Sequence, residues 1–146
     1  MKKVLLLIFA LISLNAFSQL QGYIDSEGNL KPQYDAATAN WGGNWRMPTK
    51  DELNELRTNC TWTWTTQNGV NGYKVEGLNG NHVFLPAAGL RSGSSLNCAG
   101  SYGDYWSSTL GDDYDYGAYR LDFDRISRYV YDDGRYVGQS VRPVLE

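Results

Sequence analysis

Thr49-Lys50-Asp51-Glu52-Leu53-Asn54-Glu55-Leu56-Arg57-Thr58-Asn59-Cys60-Thr61-Trp62-Thr63-Trp64-Thr65 changes its residue period once, and that change decides the fold class. Residues 50–58 read as a helix. Thr49 suits the N-cap, and Glu52, three residues on, completes a capping box. Asp51 and Glu52 favour the positive end of the helix dipole, and Leu53 with Leu56 makes a narrow apolar stripe. From Cys60 the period drops to two. Cys60, Trp62 and Trp64 alternate with Thr61, Thr63 and Thr65, which is strand chemistry. Outward from there, residues 34–40 read as a short helix ended by Trp41-Gly42-Gly43. Asn68-Gly69 and Asn71-Gly72 read as turns, and strands at 73–76 and 82–85 flank an Asn79-Gly80 hairpin turn. Residues 87–103 read as a long Gly/Ser loop, and strands are expected at 105–110, 118–124, 128–131 and 139–144. The sum is a small α+β domain with one or two helices on a mostly antiparallel sheet.

The chain of 146 residues opens on an export signal. Lys2 and Lys3 precede an apolar run from Val4 to Leu14. Ala16-Phe17-Ser18 then fits the small-x-small cleavage rule, with Gln19 as the new N-terminus. The run is short for a membrane span, so residues 1–18 are expected to be a signal peptide, and the protein to be secreted, periplasmic or at the cell surface, with no membrane insertion after cleavage. Removing Lys2 and Lys3 takes the net charge from −3 to −5. An acidic chain without a basic cluster argues against nucleic acid as a partner. Residues 19–146 are one domain's worth of chain.

Export allows one disulfide between Cys60 and Cys98; two unpaired thiols remain the alternative. His82 stands alone in an alternating strand pattern, no ligand cluster surrounds it, and neither a metal nor a cofactor is expected. Asp112, Asp113 and Asp115 lack the spacing of an EF-hand calcium loop. No nucleophile is paired with a base and no phosphate loop precedes a helix, so no catalytic residue is assigned and the chain reads as a non-enzyme.

Residues 111–137 carry the functional signal. Of these 27 residues, six are Tyr, seven Asp and four Arg, and none is Lys, Glu, Gln, Met or Trp. A merely solvated face would use Lys and Glu freely. Tyr offers large amphipathic contact area with few rotors to freeze, and Arg a planar fork of donors, as in antibody-like contact surfaces. Alternation puts Tyr119, Leu121 and Phe123 on one face, suited to a core, and Arg120, Asp122 and Asp124 on the other, for solvent or a partner. A later strand sets Tyr129 and Tyr131 against Arg128, Val130 and Asp132. The loop at 111–117 presents Tyr114 and Tyr116 among aspartates. An acidic edge hairpin that uses charge against aggregation is the plainer alternative. So many Tyr favour binding.

Several segments, in order, carry a family resemblance: Asp35-Ala36-Ala37; Trp41-Gly42-Gly43-Asn44-Trp45-Arg46-Met47-Pro48-Thr49 with Glu52; Phe84-Leu85-Pro86-Ala87-Ala88-Gly89; Tyr105-Trp106-Ser107-Ser108; and Gly138-Gln139-Ser140-Val141-Arg142-Pro143-Val144. Together they resemble the secreted Bacteroidetes and Fibrobacter proteins of the FISUMP (Fibrobacter succinogenes major paralogous) and DUF1566 groups. Trp45-Arg46-Met47-Pro48-Thr49 is also similar to a segment of formylglycine-generating, sulfatase-modifying proteins. The resemblance implies a C-type lectin-like fold over residues 34–146, after a short N-terminal segment at 19–33. That segment is brief beside those of the related long proteins and fits a truncated or minimal form.

The tail further resembles the variable proteins of diversity-generating retroelements, whose C-terminal segment is diversified at template adenines. Asn codons altered at their first two bases cannot yield Lys, Glu, Gln, Met or Trp, the set missing from residues 111–137. On this resemblance Ala118, Tyr119, Leu121, Phe123 and residues 140–144 are scaffold. The implied contacts to a protein or glycan ligand are Asp112, Tyr114, Tyr116, Arg120, Asp122, Asp124, Arg128, Tyr129 and Tyr131. The Glu-Pro-Asn and Trp-Asn-Asp motifs of calcium-dependent lectins are absent. So are the paired cysteines of the formylglycine enzymes, which leaves a degenerate relative of those enzymes as a lesser alternative. A structural cell-surface or pilus-associated module without a diversified site is the other.

Overall fold

The computed structural model describes residues 22–112 and 116–145; the expected signal peptide at 1–18 and Tyr114, with Asp113 and Asp115, lie outside them. The helix read from the capping box is present as α2, Lys50–Asn59. The Thr49 hydroxyl accepts the Glu52 amide at 3.2 Å, and the Glu52 carboxylate accepts the Thr49 amide at 2.8 Å. Both bonds answer amides that a helix start leaves without partners. Arg46 holds the same carboxylate through two 2.7 Å bonds, and this Arg46 contact above all keeps the Glu52 carboxyl below its usual range. The first helix, α1, runs Ala36–Trp41 after a 3-10 turn at Pro32–Tyr34. Its cap is the buried Asp35, which accepts the Ala37 and Thr38 amides and, with its second oxygen, the Met47 amide at 2.8 Å. One carboxylate thereby ties α1 to β1, Trp45–Arg46.

Beyond α2, β2 (Thr61–Gln67), β3 (Val70–Glu76) and β4 (His82–Pro86) form an antiparallel sheet in that order. Asn68 and Gly69 turn the first hairpin with φ of 49° and 79°, the left-handed pair that a two-residue loop requires. Asn71-Gly72, expected as a turn, instead lies within β3 opposite Thr66 and Thr65. Gly72 is there for space: a Cβ at this position would collide with the Leu85 carbonyl across the ladder. The expected loop at 87–103 contains a small hairpin, β5 (Leu90–Ser92) with β6 (Ser95–Asn97), turned at Gly93.

The second three-stranded sheet is β7 (Gly103–Leu110), β8 (Gly117–Phe123) and β9 (Arg128–Gly134). The strand expected at 139–144 is reduced to β10, Val144–Leu145, paired with β1, while Ser140 bridges Tyr105 on the free side of β7. Helix α2 packs on β7, β8 and β9, and Leu53 joins Tyr73, Val75, Leu85, Ala87, Tyr105, Leu121 and Phe123 in one core. Phe123 is the junction of the two sheets. Its ring meets Tyr73, Trp62 and Trp64 edge-on at 5.3, 6.0 and 6.4 Å and stacks on Tyr105 at 5.9 Å. Such aromatic pairs add to the area each ring buries. The architecture is α+β, mostly antiparallel, with two helices among the described residues. None of the described helices is long and apolar enough to cross a membrane. Cys60, at the end of α2, and the exposed Cys98 are unbridged, so the disulfide alternative is not realised.

Candidate functional site

Alternation along β8 sorts its side chains as the sequence pattern requires. Leu121 and Phe123 are fully buried in the core. Tyr119, on the same face nearer the strand's start, is half-buried; its hydroxyl donates to Asp112 at 2.6 Å and Lys50 lies 4.4 Å over its ring. The opposite face is built by register. Arg120 pairs with Trp106 on β7 and Tyr131 on β9, and Asp122 pairs with Asp104 and Tyr129. Asp133, two residues beyond Tyr131, stands on the same face opposite Ala118.

Arg120 is the centre of this face, and it is buried, at 7% exposure. That corrects the expectation that its side chain is presented to solvent or a partner. The guanidinium donates to the Asp104 carboxylate and to the Tyr131 hydroxyl, and lies 4.5 Å from the Tyr131 ring centre. Its Nε is 3.2 Å from Asp133 and its Nη1 3.7 Å from Asp122. The Asp133 contact is an ion pair without hydrogen-bond alignment, since Nε has no hydrogen-bond acceptor. Tyr131 in turn donates to Asp122 at 3.2 Å, and Gln139 donates to Asp133 at 3.3 Å. Three carboxyl groups thus share one guanidinium, and Asp104 Oδ2 is buried with no hydrogen-bond partner. Burial raises the Asp104 carboxyl; the Arg120 charge opposes this, and Asp122 and Asp133 add to it. Burial also pushes the Tyr131 phenol up to about 12.

Of the expected contact residues, Arg120, Asp122, Tyr129 and Tyr131 come together here. Tyr129 and Tyr131 present exposed rings, at 57% and 40%. Tyr116 is exposed before β8, and its carbonyl accepts the Arg135 side chain at 3.1 Å. The remaining three stand elsewhere. Arg128 faces the core edge, with its guanidinium 5.4 Å from the Trp62 ring and 5.5 Å from Tyr73. Asp124 closes the β8–β9 turn by accepting the Ile126 and Ser127 amides, both at 2.7 Å, and these bonds hold its carboxyl below the usual range. Asp112 is also held low, chiefly by the Tyr119 hydroxyl and then by Lys50. These three have structural work in the fold. Asp104, Asp133, Trp106 and Gln139 were not anticipated. A strand begun at Gly103 would have put Asp104 and Trp106 on one alternating face.

Among the described residues no group of three or more His, Cys, Asp or Glu is arranged to hold a metal ion. His82 is exposed at the start of β4, opposite Glu76. The outer face of β7–β9 is therefore a surface of tyrosine rings over a buried charge network, chemistry suited to recognition. At the level of class, the chain is an α+β domain with one polar-aromatic sheet face. By sequence it belongs to the family described as Domain of unknown function (DUF8237), whose model matches residues 49–144 and so covers all of that face. No curated protein and no solved structure matches the chain.

Proposed function

We propose that this is an exported ligand-binding protein with a C-type lectin-like domain, which captures a protein or glycan on the outer face of β7–β9. The observation that carries the reading is the pair Tyr129 and Tyr131, exposed on one face of β9, with Tyr131 bonded to the buried Arg120 network and Tyr129 across the ladder from Asp122. An exposed ring on a fixed base offers contact area at little entropic cost. Tyr131 is fixed from below by Arg120 and Asp122, and Tyr116 lies near the start of the neighbouring strand. Among the described residues the contact set is thereby reduced to Tyr116, Asp122, Tyr129 and Tyr131, with Arg120 as support; Tyr114 stays in the proposal on sequence grounds alone. Diversification of residues 111–137 and cleavage after Ser18 remain part of the proposal on sequence grounds.

The test is to screen the purified chain, from Gln19, against arrays of defined glycans and of surface proteins. Replacing Tyr116, Tyr129 and Tyr131 together by Ala should weaken any specific binding about tenfold or more, since buried aromatic anchors dominate interfaces. Tyr131 also braces Arg120, so the triple variant should lose stability, whereas the pair Tyr116→Ala with Tyr129→Ala spares that network and should weaken binding while the melting temperature falls by no more than a few degrees. Unchanged binding by the triple variant would place the ligand off this face, and no specific binding on either array would favour a structural surface module. A reverse transcriptase gene beside a near-copy of the tail rich in Asn codons would support diversification, and its absence would remove that part alone.

A further inference from the structure

On the outer face of β7–β9, the carboxylates grouped on Arg120 outnumber that one guanidinium. Asp104, Asp122 and Asp133 share Arg120 as their common cation, an excess of two acidic groups over basic ones. Asp104 is sealed in, at 2% side-chain exposure, and its Oδ2 has no hydrogen-bond partner. Asp122 and Asp133 keep part of their side chains in solvent, at 16% and 30%. Tyr129 stands across the ladder from Asp122 on this same face, with its ring exposed. A carboxylate edge beside an exposed aromatic ring is the setting that attracts an ammonium or guanidinium group. The face already contains one such arrangement, Arg120 against Tyr131 and the same carboxylates. An anionic ligand would meet the excess acid and be repelled.

We propose that this face engages a lysine or arginine side chain of a basic protein segment, seated against Tyr129 and on the Asp122 carboxylate across the ladder from it. This rests on the reading of the face as a binding surface and names the chemistry of its partner. Arg120 answers the buried Asp104, and the incoming cation adds to the charge on the partly exposed Asp122. The charge balance favours a basic protein over a neutral glycan as the ligand.

A fluorescein-labelled peptide of four Arg-Gly repeats is the probe, read by fluorescence anisotropy. Wild type should bind it, and Asp122→Asn and Tyr129→Ala should each weaken binding about fivefold or more, the size expected of one cation–π or partly exposed charge contact. Tyr129→Phe keeps the ring and should stay within about twofold of wild type. Asp51→Asn, on α2, should leave affinity unchanged. Melting curves on each variant exclude unfolding, and Tyr129→Phe keeps the ring contact testable if Asp122→Asn destabilises the sheet. Equal losses in Asp51→Asn and Asp122→Asn would show general attraction to an acidic protein and overturn the proposal, as would no binding at all. If the peptide fails while an array glycan binds through Tyr116, Tyr129 and Tyr131, the face is a binding surface and its basic partner is wrong. If neither binds, both readings fall.

Discussion

Arg120 draws its partners from three strands and from the chain beyond β9: Asp104 on β7, Asp122 on its own strand, Tyr131 and Asp133 on β9, with Gln139 on Asp133. Removing one partner from a buried charge set leaves the others desolvated and unpaired, so Arg120→Ala should cost about 3–5 kcal/mol of unfolding free energy in denaturant titration. A loss near zero would contradict the network. Asp104 gives a pH signature. Its folded-state carboxyl is raised above the ordinary value of 3.8, so the fold holds the proton more tightly than the unfolded chain. Its contribution is most favourable below the unfolded value and declines as pH rises through the raised one. Asp104→Asn lacks this titration. Whatever its offset, its stability relative to wild type should improve as pH rises from about 3 to 7, and a constant difference would count against the assignment. Glu52 runs the other way: lowered by Arg46, it stabilises the fold above 4.5 and loses that effect as pH falls. Comparing the two variants directly cancels it.

The elements that were legible in the sequence are those whose signals are local. Thr49 with Glu52, Asn68-Gly69, and the alternation of Leu121 with Phe123 each depend on residues a few positions apart, and each appears as expected. Thr49→Ala should accordingly destabilise the fold by about 1 kcal/mol, seen as a lower denaturation midpoint at unchanged slope. The misreadings have non-local causes. Asn71-Gly72 has a turn's composition, yet Gly72 answers the approach of the Leu85 carbonyl from β4. The β5–β6 hairpin has three-residue strands, too short to show a period inside a Gly/Ser-rich stretch. Residues 139–144 alternate in pattern but are held by the bridge of Ser140 to Tyr105 and by Val144 in β10. Arg128 and Asp124 look like their neighbours in composition; only the packing on Trp62 and the closure of a turn separate them from Tyr129 and Tyr131.

At the scale of the whole molecule, two sheets and α2 converge on Phe123, and this junction leaves the far side of β7–β9 to the polar-aromatic face. The face was half legible. Tyr129, Tyr131 and Asp122 follow from alternation, while the burial of Arg120 depends on Asp104, Asp133 and Gln139, which lie outside its own strand. The cysteines are likewise decided by tertiary placement, and labelling of native protein should find two free thiols, with Cys98 reacting faster than the half-buried Cys60. A single fast thiol-free population would mean a bridge. The central claim is that ligand seats on Tyr129 and Tyr131. Hydroxyl-radical footprinting of the tyrosines, with and without a ligand found on the arrays, tests it most directly. The account predicts that Tyr129 and Tyr131 become protected while Tyr23 and Tyr34, exposed near α1, keep their reactivity; protection of Tyr23 and Tyr34 with Tyr129 and Tyr131 unchanged would contradict it.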